Sequence, residues 1–321
     1  MSITDDVEPD VGDVTHADLG SATGATSVVA IPRIDLADAD RRFETIADEV
    51  WSAATGLGFF EIENHGIPPV QIEAAFASAQ EFFALPEDTK ARRAMVPGSN
   101  AGWDDRPLAT DDRHEVFQIT LPRMDEYRLW PDTAFPSFRR EMTAFAQANH
   151  RLALQVLSMI AARLEWPRDF FERRHDLRSP YFQSMLRLRH HPPMPESLEP
   201  QPGVVHTDTA CVTLLHRRRD DDGLQVRSGP DPDGGPWLPV PATPGTVVCN
   251  VGDMLRRWTG DRVVSAPHRV VAPAGATLPR YAIAYFCQAD EDVVIDAADD
   301  VHPPITAGRF LQRHLDPPPT P

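Results

Sequence analysis

Apolar residues recur at helical spacing through the first half of the chain and at shorter, strand-like spacing through the second. Phe43, Ile46, Ala47, Val50 and Trp51 share one face of a helix predicted over 40–55, with Gly56 and Gly58 placed to end it. A short strand and turn precede it at 28–36, and a strand follows at 59–62 before the turn Asn64-His65-Gly66. Pro68 and Pro69 open a second helix whose stripe is Ile72, Ala75, Phe76, Ala79 and Phe83. A third, shorter helix starts at Pro86. Residues 97–114 read as loop, with Gly98, Gly102, Pro107 and several aspartates. After Pro136 a long helix buries Phe138, Met142, Phe145, Leu152, Val156, Ile160 and Leu164.

From about Tyr181 the character changes. Short β-prone runs at 182–189, 204–215, 223–227, 236–240, 246–250, 262–265, 268–272 and 280–287 alternate with Pro, Gly and Asp turns. No flexible linker separates helices from strands. The expectation is one integrated domain over 28–316, mostly helical over 28–180 and β over 181–316. Tails are expected at 1–27 and 317–321, the first rich in small and acidic residues.

A net charge of -17 over 321 residues makes nucleic acid and anionic membranes poor partners. No apolar run is long enough to cross a bilayer. The acidic start MSITDDVEPDVGD is unlike a signal peptide. Cys211, Cys249 and Cys287 are too few and too apolar in setting for a disulfide framework, so three buried free thiols are expected. These features suit a cytoplasmic, reducing setting. Oligomeric state is left open.

Two stretches carry candidate chemistry. In GVVHTDTACVTLL, His206 and Asp208 are two apart, so on a strand both side chains face one way. His268 lies far downstream near another predicted strand. Two imidazoles and one carboxylate can cap one face of an octahedral ion and leave the other open, the arrangement of non-heme Fe(II); zinc accepts the same ligands. A His-x-Asp pair alone is common by chance, and its company gives it weight. Arg280 opens the apolar run RYAIAYFC, whose alternation puts Arg280, Ala282, Ala284 and Phe286 on one face. A guanidinium there needs an acidic partner. A dicarboxylate ligand or a protein Asp or Glu satisfies it equally well.

With these pieces in order, the chain resembles the isopenicillin N synthase-like family of Fe(II)/2-oxoglutarate-dependent dioxygenases from about Val28 to Asp316. IPRIDL, GLGFFEIENHGIP (57–68) and EFFALPEDTK (81–90) resemble its N-terminal region. GVVHTDTACVTLL, GLQVR and PGTVVCNVGDMLRRWTGDRVVSAPHRV resemble its oxygenase core. The resemblance implies a mainly β fold, a double-stranded β-helix (jelly roll, cupin-like) with flanking α-helices. It implies His206, Asp208 and His268 as iron ligands, Arg280 as the anchor for the far carboxylate of 2-oxoglutarate, and O2 as oxidant. Two positions depart from the family pattern. Ala282 stands where a serine hydroxyl usually joins the anchor, a loss on the order of 1 kcal/mol. His191 stands where a tyrosine before proline is usual.

Usage of Pro, Arg, Asp and Ala is similar to that of high-GC bacteria, in which such enzymes tailor secondary metabolites, antibiotics among them. Hydroxylation or desaturation of a small molecule is the leading expectation. An oxidase that closes rings without 2-oxoglutarate is the second, and a non-enzymatic jelly-roll binding protein the third. Asn100, Trp103, Arg106, His114 and Phe117 are weaker substrate-contact candidates, as are Gln225 and the Arg187/Arg189 face. Phe182, Met185, Met254 and Trp258 read as core. The run Arg217-Arg218-Arg219-Asp220-Asp221-Asp222 reads as a solvated hairpin turn.

Overall fold

The helix predicted over 40–55 forms as α1 (Phe43–Gly56). It stops because Gly58 takes a left-handed φ of 73° and donates its N–H to the Ala53 carbonyl at 2.8 Å. A side chain at Gly58 would meet the Val264 carbonyl oxygen at 2.0 Å, so only glycine closes this end. The computed structural model describes residues 31–105, 114–193, 203–219, 221–227, 235–271, 278–297 and 301–315. The two predicted tails, Arg106 and Asp220 lie outside them.

The remaining helices are α2 (Pro69–Phe83), α3 (Glu87–Ala91), α4 (Leu121–Glu126), α5 (Phe138–Arg163), α6 (Asp253–Trp258) and α7 (Ala307–Leu315). The strands are β1 (Arg33–Asp35), β2 (Phe59–Glu63), β3 (Gly102–Asp104), β4 (Glu115–Ile119), β5 (Met185–His191), β6 (Val212–Arg217) and β7 (Leu224–Arg227). They continue with β8 (Trp237–Pro239), β9 (Val247–Val251), β10 (His268–Val270), β11 (Arg280–Cys287), β12 (Val294–Ile295) and β13 (Ile305–Thr306).

Eight strands form the major sheet in the order β1-β2-β9-β6-β11-β5-β4-β3, and β10-β7-β8 form a smaller sheet. Alternation along β11 splits the major sheet into two environments. Ile283, Tyr285 and Cys287 join the core under α2 and α5. Ala282, Ala284 and Phe286 face a cavity, whose lining also includes Leu224, His268 and Val270 of the smaller sheet. α5 is fixed to the sheet by polar contacts as well: His150 Nδ1 lies 2.9 Å from the Tyr285 hydroxyl, and His216 Nε2 lies 2.7 Å from Asn149 Oδ1. All three cysteines are buried and free, as expected.

Several expectations are corrected. The run 204–215 is not one strand: His206 makes an isolated bridge to His268, residues 207–211 turn, and β6 begins at Val212. Residues 262–265 form no strand. The predicted loop 97–114 contains β3, which exists because it pairs with β4, a contact its three residues do not announce. The predicted hairpin is not fully solvated. Arg217 ends β6 facing the cavity and donates to the carbonyls of Val240 (2.7 Å) and Pro241 (2.9 Å), and Asp221 is buried.

The helical layer meets the sheet through Phe82 of α2, stacked on Phe117 of β4 at 4.0 Å between centroids and 5.6 Å from Phe138 of α5. Phe82 is fully buried. Phe82→Ala should therefore cost about 3–5 kcal/mol. Urea unfolding should show a lower midpoint with an unchanged slope.

Candidate metal centre and arginine-lined cavity

His206 and His268 face each other across their bridge, with ring centroids 4.3 Å apart. Asp208 reaches the same point from the turn after His206, not by strand alternation. Its Oδ1 lies 3.9 Å from His206 Nε2 and 3.8 Å from His268 Nε2. One ligand atom from each residue falls within 4.8 Å of the other two.

The surroundings decide which atoms are offered. His206 Nδ1 lies 2.9 Å from the Val204 carbonyl oxygen and His268 Nδ1 lies 3.2 Å from that of Ala266. A carbonyl only accepts, so each Nδ1 carries the hydrogen and each Nε2 keeps a lone pair for a cation. Asp208 Oδ2 accepts a hydrogen bond from Asn250 at 2.7 Å, leaving Oδ1 toward the imidazoles. Burial pushes the Asp208 carboxyl up, but His268, His206 and the Asn250 amide outweigh it and hold the pKa below its usual value. Burial and the neighbouring His268 lower that of His206. Both directions favour the ligating forms, carboxylate and neutral imidazole. The donor set thus fits a divalent cation.

The turn depends on Gly252. A side chain there would meet the Ala210 carbonyl oxygen at 2.1 Å and that of Asp208 at 2.8 Å. The Asp253 N–H donates to the Asp208 carbonyl at 2.7 Å, and Thr207 Oγ1 donates to Asp253 Oδ2 at 2.7 Å. Asn250, Gly252 and Asp253 escaped the sequence reading. Their signal lay in the GTVVCNVGD stretch, whose role depends on strand pairing that sequence does not state.

The cavity beside this centre holds about 780 Å³ of empty space, its mouth included. Strand register arranges its wall in rows. Phe286, Thr213 and Asn250 stand level with the Asp208 carboxylate. Arg187, Ala284 and Leu215 form the next row, and Arg189, Ala282 and Arg217 the one beyond. Arg280 pairs with His191 in the last. Ala282 and His191 line the cavity. Arg280 Nη1 lies 3.1 Å from Asp221 Oδ1, with both side chains about nine-tenths covered. The protein-acid partner that sequence left open is therefore present, and it occupies one of the guanidinium's five donors. Asp221 lines the cavity, whereas Arg280 itself is not among the lining residues.

Other candidates are placed elsewhere. Phe117 is core, Trp103 donates to Glu115 at 3.0 Å, and Gln225 accepts from Arg269 at 2.9 Å. The Asn100 carbonyl accepts from Thr120 at 2.9 Å. His114 lies 5.7 Å, ring to ring, from His191. Tyr281 faces away and stacks on His190 at 4.8 Å.

Asn250→Ala should leave a buried carboxylate oxygen unsatisfied. Fe(II) affinity is expected to fall about 10–100-fold, with little change in the fold. Anaerobic metal titration alongside circular dichroism checks both.

Comparison with known proteins agrees with this geometry. Residues 182–289 match the 2OG-Fe(II) oxygenase superfamily, and residues 31–133 match the N-terminal region described as non-haem dioxygenase in morphine synthesis. The chain is 34% identical to proline hydroxylase buaE of Petromyces alliaceus, over 83% of this chain and 89% of that one. It is 32% identical to the 2-oxoglutarate-dependent dioxygenase citB of Monascus ruber, over 80% and 82%. A full-length Neurospora crassa protein, solved in complex with alpha-KG and 5-formyluracil, superposes with a TM-score of 0.78 at 27% identity, covering 90% of this chain and 97% of that one. These likenesses bear out the family and jelly-roll fold expected from sequence. The chain belongs to the 2OG-Fe(II) oxygenase superfamily and is an Fe(II)- and 2-oxoglutarate-dependent dioxygenase.

Proposed function

We infer that this dioxygenase hydroxylates or desaturates an unactivated C–H bond of a small molecule in secondary metabolism. His206, Asp208 and His268 hold the iron, and Arg280 holds the far carboxylate of 2-oxoglutarate. The observation that carries the reading is the pair of Nδ1–H groups committed to backbone carbonyls, which leaves both Nε2 lone pairs beside Asp208 Oδ1 to share one cation. Iron, 2-oxoglutarate and oxygen together supply the oxidation, with succinate and CO2 as by-products. The chain's own part is placement and exclusion of water. Asp221 orients Arg280 toward the co-substrate. Phe59 packs edge-on against His268 at 5.2 Å and holds that ring in place. His191, beside Arg280 in register, takes the place of the family's tyrosine at the anchor.

The names of relatives support an oxidation of this kind. One is named as a proline hydroxylase, and others as 2-oxoglutarate-dependent dioxygenases. Among the described residues no helix is long and apolar enough to cross a membrane. A reducing cytoplasm, where ferrous iron persists, suits the chemistry. Family membership favours this reading over a ring-closing oxidase independent of 2-oxoglutarate and over a non-enzymatic binding protein.

Anaerobic titration of the Fe(II)-loaded protein with 2-oxoglutarate tests the assignment. A visible metal-to-ligand charge-transfer band should appear. In Arg280→Ala it should require at least tenfold more 2-oxoglutarate. Unchanged affinity in that variant would remove Arg280 from the anchor. Absence of the band in His268→Ala, with the fold retained, is the matching expectation for the ligand set.

A further inference from the structure

One guanidinium in the cavity wall stands apart from the metal triad and from Arg280. Arg187 stands on β5, one row from the metal centre and on the opposite side of β11 from β6. It is half-buried and lines the cavity. Among the described residues it makes no side-chain hydrogen bond or ion pair, and its Nε is buried without a partner. Its guanidinium lies over the Phe286 ring, 4.8 Å from the centroid. A cation–π contact of this kind orients the group and neutralises no charge.

The charges around it do not neutralise it either. Burial and neighbouring Arg189 lower its pKa to about 10, which leaves it charged at neutral pH, and Asp208 is the acid that opposes this shift. Asp208 has one oxygen on Asn250 and the other toward the two imidazoles. Asp221 is taken by Arg280. With a ferrous ion and dianionic 2-oxoglutarate in place, Arg187, Arg217, Arg280 and the iron exceed Asp208, Asp221 and the co-substrate by one positive charge; of the other acids near Arg217, Glu61 is paired with Arg33 and Asp222 is exposed. Arg189 stands outside that balance. The alternatives for Arg217 and Arg280 are already filled by carbonyls and by Asp221. A buried guanidinium without an anion is costly, and its planar fork matches a carboxylate.

We propose that Arg187 is the recognition point for a carboxylate on the substrate, with the adjoining flat or apolar part of that molecule against Phe286. The inference rests on the co-substrate lying along β11 and β6 toward Arg280. The dioxygenase therefore acts on an organic acid. An uncharged molecule of the same shape leaves the cation uncompensated and binds weakly.

The test uses the full chain loaded with Zn(II), a redox-inert substitute for iron, and saturating 2-oxoglutarate. Calorimetric titration compares phenylacetate with its neutral counterpart phenylacetamide. Phenylacetate should bind at least tenfold more tightly, and the margin should shrink with added NaCl. Arg187→Gln and Arg187→Met should abolish the preference while 2-oxoglutarate affinity stays within twofold, and Arg187→Lys should retain part of it. A second readout needs no ligand: Arg187→Met should melt at a higher temperature than the parent, because an unpaired buried charge is gone. Equal binding of acid and amide, or binding of neither, overturns the proposal. So does a lower melting temperature in Arg187→Met, which makes Arg187 structural. A fall in 2-oxoglutarate affinity in Arg187→Gln also overturns it, by assigning the guanidinium to the co-substrate. If instead the parent fails to bind 2-oxoglutarate while the acid preference persists, the Arg280 anchor fails and the carboxylate site stands.

Discussion

Asp208 is a buried carboxylate with one oxygen tied to Asn250 and the other left toward two imidazoles. Taking such a charge out of water is expensive unless it is surrounded by cations or donors. Much of the local fold answers that requirement. The bridge between His206 and His268 brings the rings side by side at a tilt of 53°, and backbone carbonyls fix both tautomers. β9 brings Asn250 level with Thr213, and the glycine after it lets the next turn approach the Asp208 and Ala210 carbonyls. A metal site of this kind is built from backbone geometry as much as from its ligands.

The second constraint is the alternation of the major sheet. Each central strand sends one set of side chains under the helices and the other into the cavity. On β11 these are Ile283, Tyr285 and Cys287 against Ala282, Ala284 and Phe286. A slip of one residue would exchange them. Antiparallel pairing on both sides of β11 fixes its register over most of its length, so the same contacts that bury the core also set which row each arginine occupies.

How legible was this in the letters? Long helices were, because Phe138, Met142, Phe145, Leu152, Val156 and Ile160 repeat a helical period over many turns and all are buried. The inward face of β11 was readable too, since strand alternation is local. The joint placement of His206, Asp208 and His268 rested on the order of family motifs, and strand alternation does not account for it: Asp208 sits in a turn. β3 and the inward-facing Arg217 and Asp221 of the arginine–aspartate run were not legible. Arg217 looks like surface until Val240 and Pro241 are known to cap it from another strand's end. Asp221 looks like surface until Arg280 arrives from far along the chain. Asn250 and Gly252 carry no chemistry of their own that spacing could flag.

The contrast between surface and cavity follows from the range of electrostatics. The chain's net charge is -17, yet the cavity wall carries Arg187, Arg189 and Arg217. At physiological salt the field of distant surface acids is screened within about 8 Å, whereas charges inside a recess of low dielectric act at nearly full strength. An acidic exterior is thus compatible with an interior selective for anions. A small dicarboxylate needs only to pass the screened surface before the arginines dominate. Inside the recess, Arg189 and Arg217 stand on either side of Ala282, and Arg280 beyond them is paired with Asp221. Arg189 and Arg217 flank the alanine, and the positive potential they create favours a carboxylate where a single neutral donor would otherwise stand.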